Sequence, residues 1–168
     1  MGSKRPASMN RTDVEVGVTD RLSVTRKLLT AAAATCGVQA LTHATLFLSF
    51  EPQAATRQGR IIARMRADSF DYGMLGQRTY WDFYLGYGLI AVVLALLITA
   101  VIAIAVATPD RNTQVRLSAC AMTTVLSHGA IIARYFFVLP LAFDLVVAVL
   151  LAAALVTLRA GSISGMKR

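Results

Sequence analysis

The sequence has few charged residues, and long stretches have almost none. Only 15% of its 168 residues are Asp, Glu, Lys or Arg, while 56% are hydrophobic, and the mean hydropathy is +0.59. Soluble globular domains are about 25% charged. This shortage of charge argues against an ordinary soluble domain and predicts an integral membrane protein.

The motifs of several chemical classes are also missing. The sequence has no P-loop, dinucleotide fingerprint, HExxH or GxSxG pattern. It therefore gives no support to a nucleotide-driven enzyme, a zinc protease or a serine hydrolase with a nucleophile elbow. Its two cysteines, Cys36 and Cys120, lie singly in apolar segments and form no CxxC pair. They therefore indicate neither a disulfide scaffold nor a thiol redox motif. The leading interpretation includes no cofactor and no metal.

The basic residues lie where they signal topology. The net charge is +8, but no basic domain interleaved with aromatics is present, so no nucleic-acid partner is predicted. Lys and Arg concentrate in both tails and in the loop between the second and third spans, which favours two cytoplasmic termini. Five arginines in the first loop weigh against that orientation. A multi-pass protein of the cell inner (plasma) membrane is expected.

The apolar runs predict four transmembrane helices, since about 20 apolar residues cross a bilayer. We expect an all-α integral membrane four-helix bundle with up-down topology. Residues 1–27 are predicted to form a disordered cytoplasmic tail, and residues 160–168 a C-terminal tail. The first span is too long for the apolar region of a cleaved signal peptide and is interpreted as an anchor. Within the transmembrane domain, 28–159, the spans are predicted at about 28–50, 81–108, 115–139 and 141–158.

The first loop, residues 51–80, has its own pattern. Arg57, Arg60 and Arg64 share one helical face and apolar residues share another, which predicts a short helix lying in the membrane interface. The Thr79-x-x-Asp82 pattern then predicts a capping box that begins the second span.

A few ionisable residues fall inside the predicted spans, where they are costly and tend to mark function or specific pairing. With up-down connectivity, His43, Asp82, Arg134 and Asp144 are expected in the same half of the bilayer. His128 is expected about 15 Å from the end of the third span, near the middle of the membrane. Their convergence is the main sequence argument for a functional site.

Helical spacing refines this prediction. A polar stripe on the first span and a second stripe on the third are both expected to face the bundle interior. Aromatic residues crowd the same region, so the sequence predicts a pocket of acid and imidazole groups within aromatic walls. The first stripe comprises Thr35, Gln39, Thr42 and His43, the second Thr124, His128, Ile131 and Tyr135, and the aromatics Tyr80, Trp81, Phe83, Tyr84, Tyr87, Phe136 and Phe137.

One segment carries a resemblance. The run Tyr-Trp-Asp-Phe-Tyr-Leu-Gly-Tyr-Gly, from Tyr80 to Gly88, is preceded by His43 and followed by Arg134-Tyr-Phe-Phe-Val-Leu-Pro140. Together they resemble a family of small four-helix bacterial membrane proteins without an established activity. The resemblance covers about residues 28–158. It implies four spans and draws attention to His43, Asp82 and Tyr135, but it implies no reaction.

The leading functional hypothesis is a membrane-embedded enzyme that isomerises or cyclises a lipophilic small molecule, such as a polyketide, terpenoid or quinone-like compound, by acid-base chemistry. A carboxylic acid in an apolar pocket can stay protonated near neutral pH and donate a proton. Asp82 is the candidate acid, and His43 or His128 would take up or return the proton. The candidate substrate-binding residues are Trp81, Tyr84, Tyr87, Gln39, Arg134, Tyr135 and Asp144.

Structural interpretations of the same residues stay open. Asp82 can simply cap a helix, Asp144 can pair with Arg134, and the histidines can join helices by hydrogen bonds. The aromatic residues can form an interfacial belt.

Two further functions compete with the enzyme. The first is a non-catalytic accessory or binding subunit whose small residues pack against a membrane protein partner or a second copy; it predicts a fully paired polar cluster without a cavity. The second is a haem-binding electron carrier with His43 and His128 as axial ligands. A transporter is disfavoured because the chain shows no inverted repeat. Membrane lipid is an expected partner in every case.

Overall fold

The chain folds as an all-α bundle. A computed structural model describes residues 11–49, 51–136 and 138–165. Four helices are long and apolar enough to cross a membrane, at Arg21–Ser49, Tyr80–Ala107, Arg111–Tyr135 and Val138–Ala160, which indicates a multi-pass membrane protein. The predicted fold class is confirmed. The helices are α1 (Arg11–Ser49), α2 (Arg57–Ala67), α3 (Tyr80–Ala107), α4 (Arg111–Tyr135) and α5 (Val138–Gly165).

The four long helices form a ring in the order α1, α3, α4, α5. Helix α1 packs against α3 and α5, and α4 packs against the same two neighbours. Because short connections join α3 to α4 and α4 to α5, consecutive helices run antiparallel. At one end of the bundle, the Oγ1 atoms of Thr25 in α1 and Thr157 in α5 are 2.8 Å apart. The opposite end, called the α2 end below, contains α2 and the start of α3.

The core is a narrow apolar column between the helices. Leu29, Ile102, Val147 and Leu151 are fully buried in it, one or two from each of three helices, while small residues fill the α4 side. Large apolar side chains also cover the outside of the bundle, for example Val149 at 68% exposure. Helices that are apolar on all sides are typical of membrane spans, where lipid covers the outer surface.

The first helix begins earlier than its apolar span. Helix α1 starts at Arg11, within residues 1–27 that were predicted to be disordered, and residues 1–10 lie outside the described part. The side chain of Thr25 is buried against α5. Packing of α1 against α5 at Thr25 therefore stabilises helix in a segment whose composition alone predicts no helix.

The α4–α5 turn also differs from its predicted position. Helix α4 ends at Tyr135 and α5 begins at Val138, whereas Pro140 was expected to mark the turn. Pro140 lies instead in the first turn of α5, where its missing N–H leaves no helical hydrogen bond unmade. The turn therefore lies closer to His128 than predicted.

The connection between α1 and α3 is well defined. The predicted short helix is confirmed as α2, and the N-cap Thr56 accepts a hydrogen bond from the Gly59 N–H. An antiparallel hairpin follows, with strands β1 (Ser69–Asp71) and β2 (Gln77–Thr79). Gly73 and Gly76 have φ of 61° and 82° in its turn, which glycine adopts at little cost.

Carboxylates cap the N-termini of α3 and α4. The predicted capping box is confirmed: the Thr79 N–H donates to Asp82 Oδ2 over 2.8 Å, and the Asp82 N–H donates to Thr79 Oγ1 over 3.1 Å. Before α4, Asp110 Oδ2 accepts a hydrogen bond from the Thr113 N–H. Side-chain and backbone hydrogen bonds from Thr113 lower the pKa of Asp110. Both helix starts are therefore fixed by local chemistry.

Helices α1 and α3 approach closely at Gly88, because a Cβ there would overlap the ring of Phe47. We expect Gly88→Ala to destabilise the protein by about 1–3 kcal/mol through overpacking, measured by thermal unfolding in detergent. Gly86→Ala is the matched control, since no atom lies within 4 Å of a Cβ at that position. It should be neutral or stabilise by up to about 1 kcal/mol. Equal stability of the two variants would contradict the close approach.

Candidate functional site

The most deeply buried charged group among the described residues is the Asp144 carboxylate, whose side chain is 7% exposed. Its Oδ2 lies 2.8 Å from His128 Nδ1, and its Oδ1 accepts a hydrogen bond from Gln39 Nε2 over 3.2 Å. These partners come from α4 and α1. One carboxylate in α5 therefore joins three of the four long helices.

His43 completes the group, and Gln39, His43, His128 and Asp144 are called the polar cluster below. All four side chains line one cavity, between α1, α3, α4 and α5. Its volume is about 10 Å³, enough for about one water molecule. Apolar side chains and one thiol form the rest of its wall: Cys36, Ala91, Leu94, Ala95, Ile98 and Val125.

A second small cavity is also lined by His43. It also has a volume of about 10 Å³, lies between α1 and α5, and shares Gln39 and His43 with the first cavity. His43 therefore borders two water-sized spaces. The remaining lining residues are Thr42, Leu46, Leu139, Pro140 and Phe143.

The polar cluster lies at a single level of the bundle. His43 lies six residues before the end of α1, Asp144 six after the start of α5, and His128 seven before the end of α4. At 1.5 Å per residue all three are about 9–11 Å from the α2 end. His128 is therefore closer to the end of its helix than the predicted distance of about 15 Å. The reason is that α4 ends at Tyr135 rather than near residue 139.

The hydrogen bonds define the chemistry of His128. Opposite an ionised carboxylate, which can only accept, Nδ1 of His128 is the donor, and Nε2 is the ring nitrogen that is not engaged with Asp144. This assignment of the proton follows from the hydrogen-bond partners. A carboxylate that fixes an imidazole in this tautomer is the arrangement used for general-base catalysis.

Arg134 does not take part in this network. Its guanidinium lies over the ring of the adjacent Tyr135, 5.3 Å from the ring centroid, and both residues are exposed on the outer surface. Among the described residues, Asp144 is paired with His128 and Gln39 instead. The possible ion pair between Asp144 and Arg134 is thus replaced by a carboxylate-imidazole pair.

The inward face of α4 also differs from the predicted stripe. Ile131 and Tyr135 are 55% and 73% exposed, so the expectation that they face the interior was wrong. Small residues at helical spacing decide the inward face because they let neighbouring helices approach closely. A Cβ at Gly129, for example, would lie 3.6 Å from the Asp144 side chain. The buried residues of α4 are Gln114, Ser118, Ala121, Val125, Gly129 and Ile132.

Asp82 lies apart from the polar cluster. Its carboxylate forms the capping box at the start of α3 and is exposed, and it is not among the residues that line either cavity around His43. The aromatic residues in the first turns of α3 belong to two separate series of contacts. Phe83 contacts Phe70 of the hairpin, and Tyr87 lies 6.2 Å from Phe83.

A second aromatic series reaches the polar cluster. Centroid distances are 5.4 Å between Trp81 and Tyr84, 5.2 Å between Tyr84 and Phe47, and 5.9 Å between Phe47 and His43. Arg66 of α2 lies over Trp81 at 4.8 Å. Phe47 was not singled out from the sequence, although its position one helical turn after His43 was the available signal.

No family model, curated protein or solved structure matches the chain. The resemblance to small four-helix bacterial membrane proteins therefore stays a prediction. What the fold and the site define is a class: a multi-pass membrane bundle with a buried carboxylate-imidazole pair. Within the described ranges, no group of three or more His, Cys, Asp or Glu side chains is placed to hold a metal ion.

Removing the carboxylate tests the pairing. We expect Asp144→Ala to destabilise the protein by about 1–3 kcal/mol, because His128 and Gln39 lose a buried acceptor. A double-mutant cycle with His128→Ala should give a coupling energy of roughly 0.6–1.7 kcal/mol, as measured for polar pairs in membranes. Unfolding in detergent supplies the free energies.

The matched cycle pairs Asp144→Ala with Arg134→Gln. Since Arg134 contacts Tyr135 rather than Asp144, its coupling should be near zero. Strong coupling to residue 134 together with weak coupling to residue 128 would contradict the assigned partners.

Proposed function

We propose that this protein is a membrane-embedded enzyme that moves a proton on a lipophilic small molecule, with the His128–Asp144 pair as the acid-base group. The observation that supports the proposal is the 2.8 Å contact between His128 Nδ1 and Asp144 Oδ2 beside a water-sized cavity. Because the pair is buried, the electrostatic attraction between the carboxylate and the imidazole is stronger than it would be in water.

Each member of the polar cluster has a proposed role. His128 Nε2 removes or returns the proton, and Asp144 orients the ring and stabilises its charged form. Gln39 holds the second carboxylate oxygen and so fixes the orientation of Asp144. His43, which lines the same cavity, exchanges the proton with water in the adjoining space.

The proposal differs from the sequence hypothesis in its acid. Asp82 was the candidate because a buried carboxylic acid can stay protonated, but its side chain is exposed and holds the helix cap. Asp144 is the buried carboxylate, and in this proposal it orients His128, which transfers the proton in place of Asp82. An isomerisation or cyclisation fits the available groups, because both need only proton transfers between positioned side chains.

Access to the site follows from its surroundings. The cavity holds only about one water molecule, so a substrate enters only if side chains at the α1–α3 contact move. Phe47 occupies that contact, between His43 and Tyr84. A lipophilic substrate would arrive from the bilayer and place its reacting atom against His128, while its remainder stays in apolar surroundings.

Proton exchange provides an assay in which the substrate need not be identified beforehand. Purified protein in lipid nanodiscs is incubated in D₂O with a lipophilic extract of the source cells, and the extract is then searched by mass spectrometry for deuterium uptake. Wild type should label a discrete compound. His128→Gln should reduce the labelling rate by about 10²- to 10⁴-fold, the usual contribution of general acid-base catalysis.

Two further variants control this assay. Asp144→Asn should also lower the rate, because an amide no longer enforces the Nδ1–H tautomer, whereas Asp82→Asn should leave it unchanged. Labelling that survives His128→Gln but is lost in Asp82→Asn would restore Asp82 as the acid. No labelled compound in any sample would count against an enzyme.

The small cavity favours a second candidate function, a non-catalytic accessory subunit. Both Asp144 oxygens are hydrogen-bonded and the cavity is water-sized, close to the fully paired cluster which that function predicts. Native mass spectrometry would then show a stoichiometric protein partner and no bound metabolite. A haem, like a lipophilic substrate, would require the helices around this cavity to move apart, so the site gives the electron-carrier hypothesis no specific support.

A further inference from the structure

The outer surface of α3 contains a groove that the polar cluster does not use. It is a shallow, open depression at the α2 end, where α3 begins, with a volume of about 400 Å³. Two charged residues and four residues without charge line it. They are Arg78, Asp82, Phe83, Gly86, Tyr87 and Ile90.

The groove has the length and polarity of one lipid molecule. Arg78 of β2 and Asp82 in the first turn of α3 form one end of the groove, and Ile90 lies eight residues beyond Asp82, about 12 Å further along the helix. One leaflet of the hydrocarbon core is about 15 Å thick. With Tyr80–Ala107 as a membrane span, the charged end would lie at headgroup level and the apolar part would extend through most of one leaflet.

Both charges at the headgroup end are available to a ligand. One Arg78 N–H donates to the backbone carbonyl of Gln77, which leaves the other guanidinium donors free. Asp82 uses Oδ2 for the helix cap and is exposed. Among the ion pairs formed by the described residues, none joins Arg78 to Asp82.

Arg78 and Asp82 are not paired with each other. Together they can bind a headgroup that carries both a positive and a negative charge. A guanidinium binds phosphate strongly, and a carboxylate accepts hydrogen bonds from an ammonium group. An anionic headgroup would bind Arg78 but would be repelled by Asp82. A choline headgroup has no N–H to donate, so it would satisfy Asp82 less well.

We propose that this groove binds one phospholipid with an ethanolamine headgroup, its phosphate on Arg78, its ammonium group on Asp82 and an acyl chain along Gly86, Tyr87 and Ile90. Tyr87 and Ile90 are 68% and 64% exposed, so they present apolar surface to the chain. Gly86 leaves room in the groove for the chain, because it has no side chain and no atom lies within 4 Å of where its Cβ would be.

Gly86→Leu tests the groove directly. A leucine at this position fills the groove without meeting neighbouring atoms at its Cβ. The matched control is Gly37→Leu, since a Cβ at Gly37 in α1 also has no atom within 4 Å and Gly37 does not line the groove. The full-length protein is purified in detergent with equal amounts of phosphatidylethanolamine, phosphatidylglycerol and phosphatidylcholine with identical acyl chains, and native mass spectrometry measures the bound lipid.

Wild type and Gly37→Leu should retain about two- to fivefold more phosphatidylethanolamine than either other lipid, the effect expected of one partly exposed charge contact. Gly86→Leu should lower bound phosphatidylethanolamine to background. Asp82→Asn should remove the preference over phosphatidylglycerol, and Arg78→Gln should weaken retention of both. If Gly86→Leu fails to fold, the two charge variants decide the question.

Three results would overturn the proposal: equal retention of the three lipids by wild type, a preference for phosphatidylglycerol, or undiminished binding by a folded Gly86→Leu variant. The inference is independent of the proposed enzyme activity, because no residue of the groove belongs to the polar cluster.

Discussion

The pairing of the Asp144 carboxylate constrains the rest of the bundle. An unpaired charge inside a membrane costs several kcal/mol, so Asp144 requires partners, and they come from two other helices, His128 of α4 and Gln39 of α1. Satisfying both oxygens fixes the rotation and the relative height of three helices. Apolar packing in lipid is less selective, since lipid chains are as apolar as the helix surfaces.

Close helix approach lets these hydrogen bonds form. Gly129 brings α4 near Asp144 of α5, and Gly88 brings α3 against Phe47 of α1. Helices in lipid lack the hydrophobic driving force that holds soluble bundles together, so close packing at small residues contributes more to their association. Phe47 then connects the packing to the site, since its ring lies between Tyr84 and the imidazole of His43.

The polar cluster and the start of α3 offer different surroundings to their carboxylates. The polar cluster, around His128, has paired groups and room for about one water molecule, conditions that suit proton transfer. The region at the start of α3 holds Asp82 and Arg78 beside an open apolar groove. Two carboxylates thus take different roles because one is buried among helices and the other is exposed at a helix start.

The sequence by itself determined the four spans, the short helix after the first span and the capping box at Thr79 and Asp82, because these depend on local composition and on spacing of three to four residues. It also identified the members of the polar cluster. Only the tertiary structure decided which of them meet. Helix α4 ends at Tyr135, which places His128 level with Asp144, and its buried face passes through Val125, Gly129 and Ile132 and not through Tyr135. Those outcomes depend on contacts between helices far apart in the chain, which local patterns do not contain.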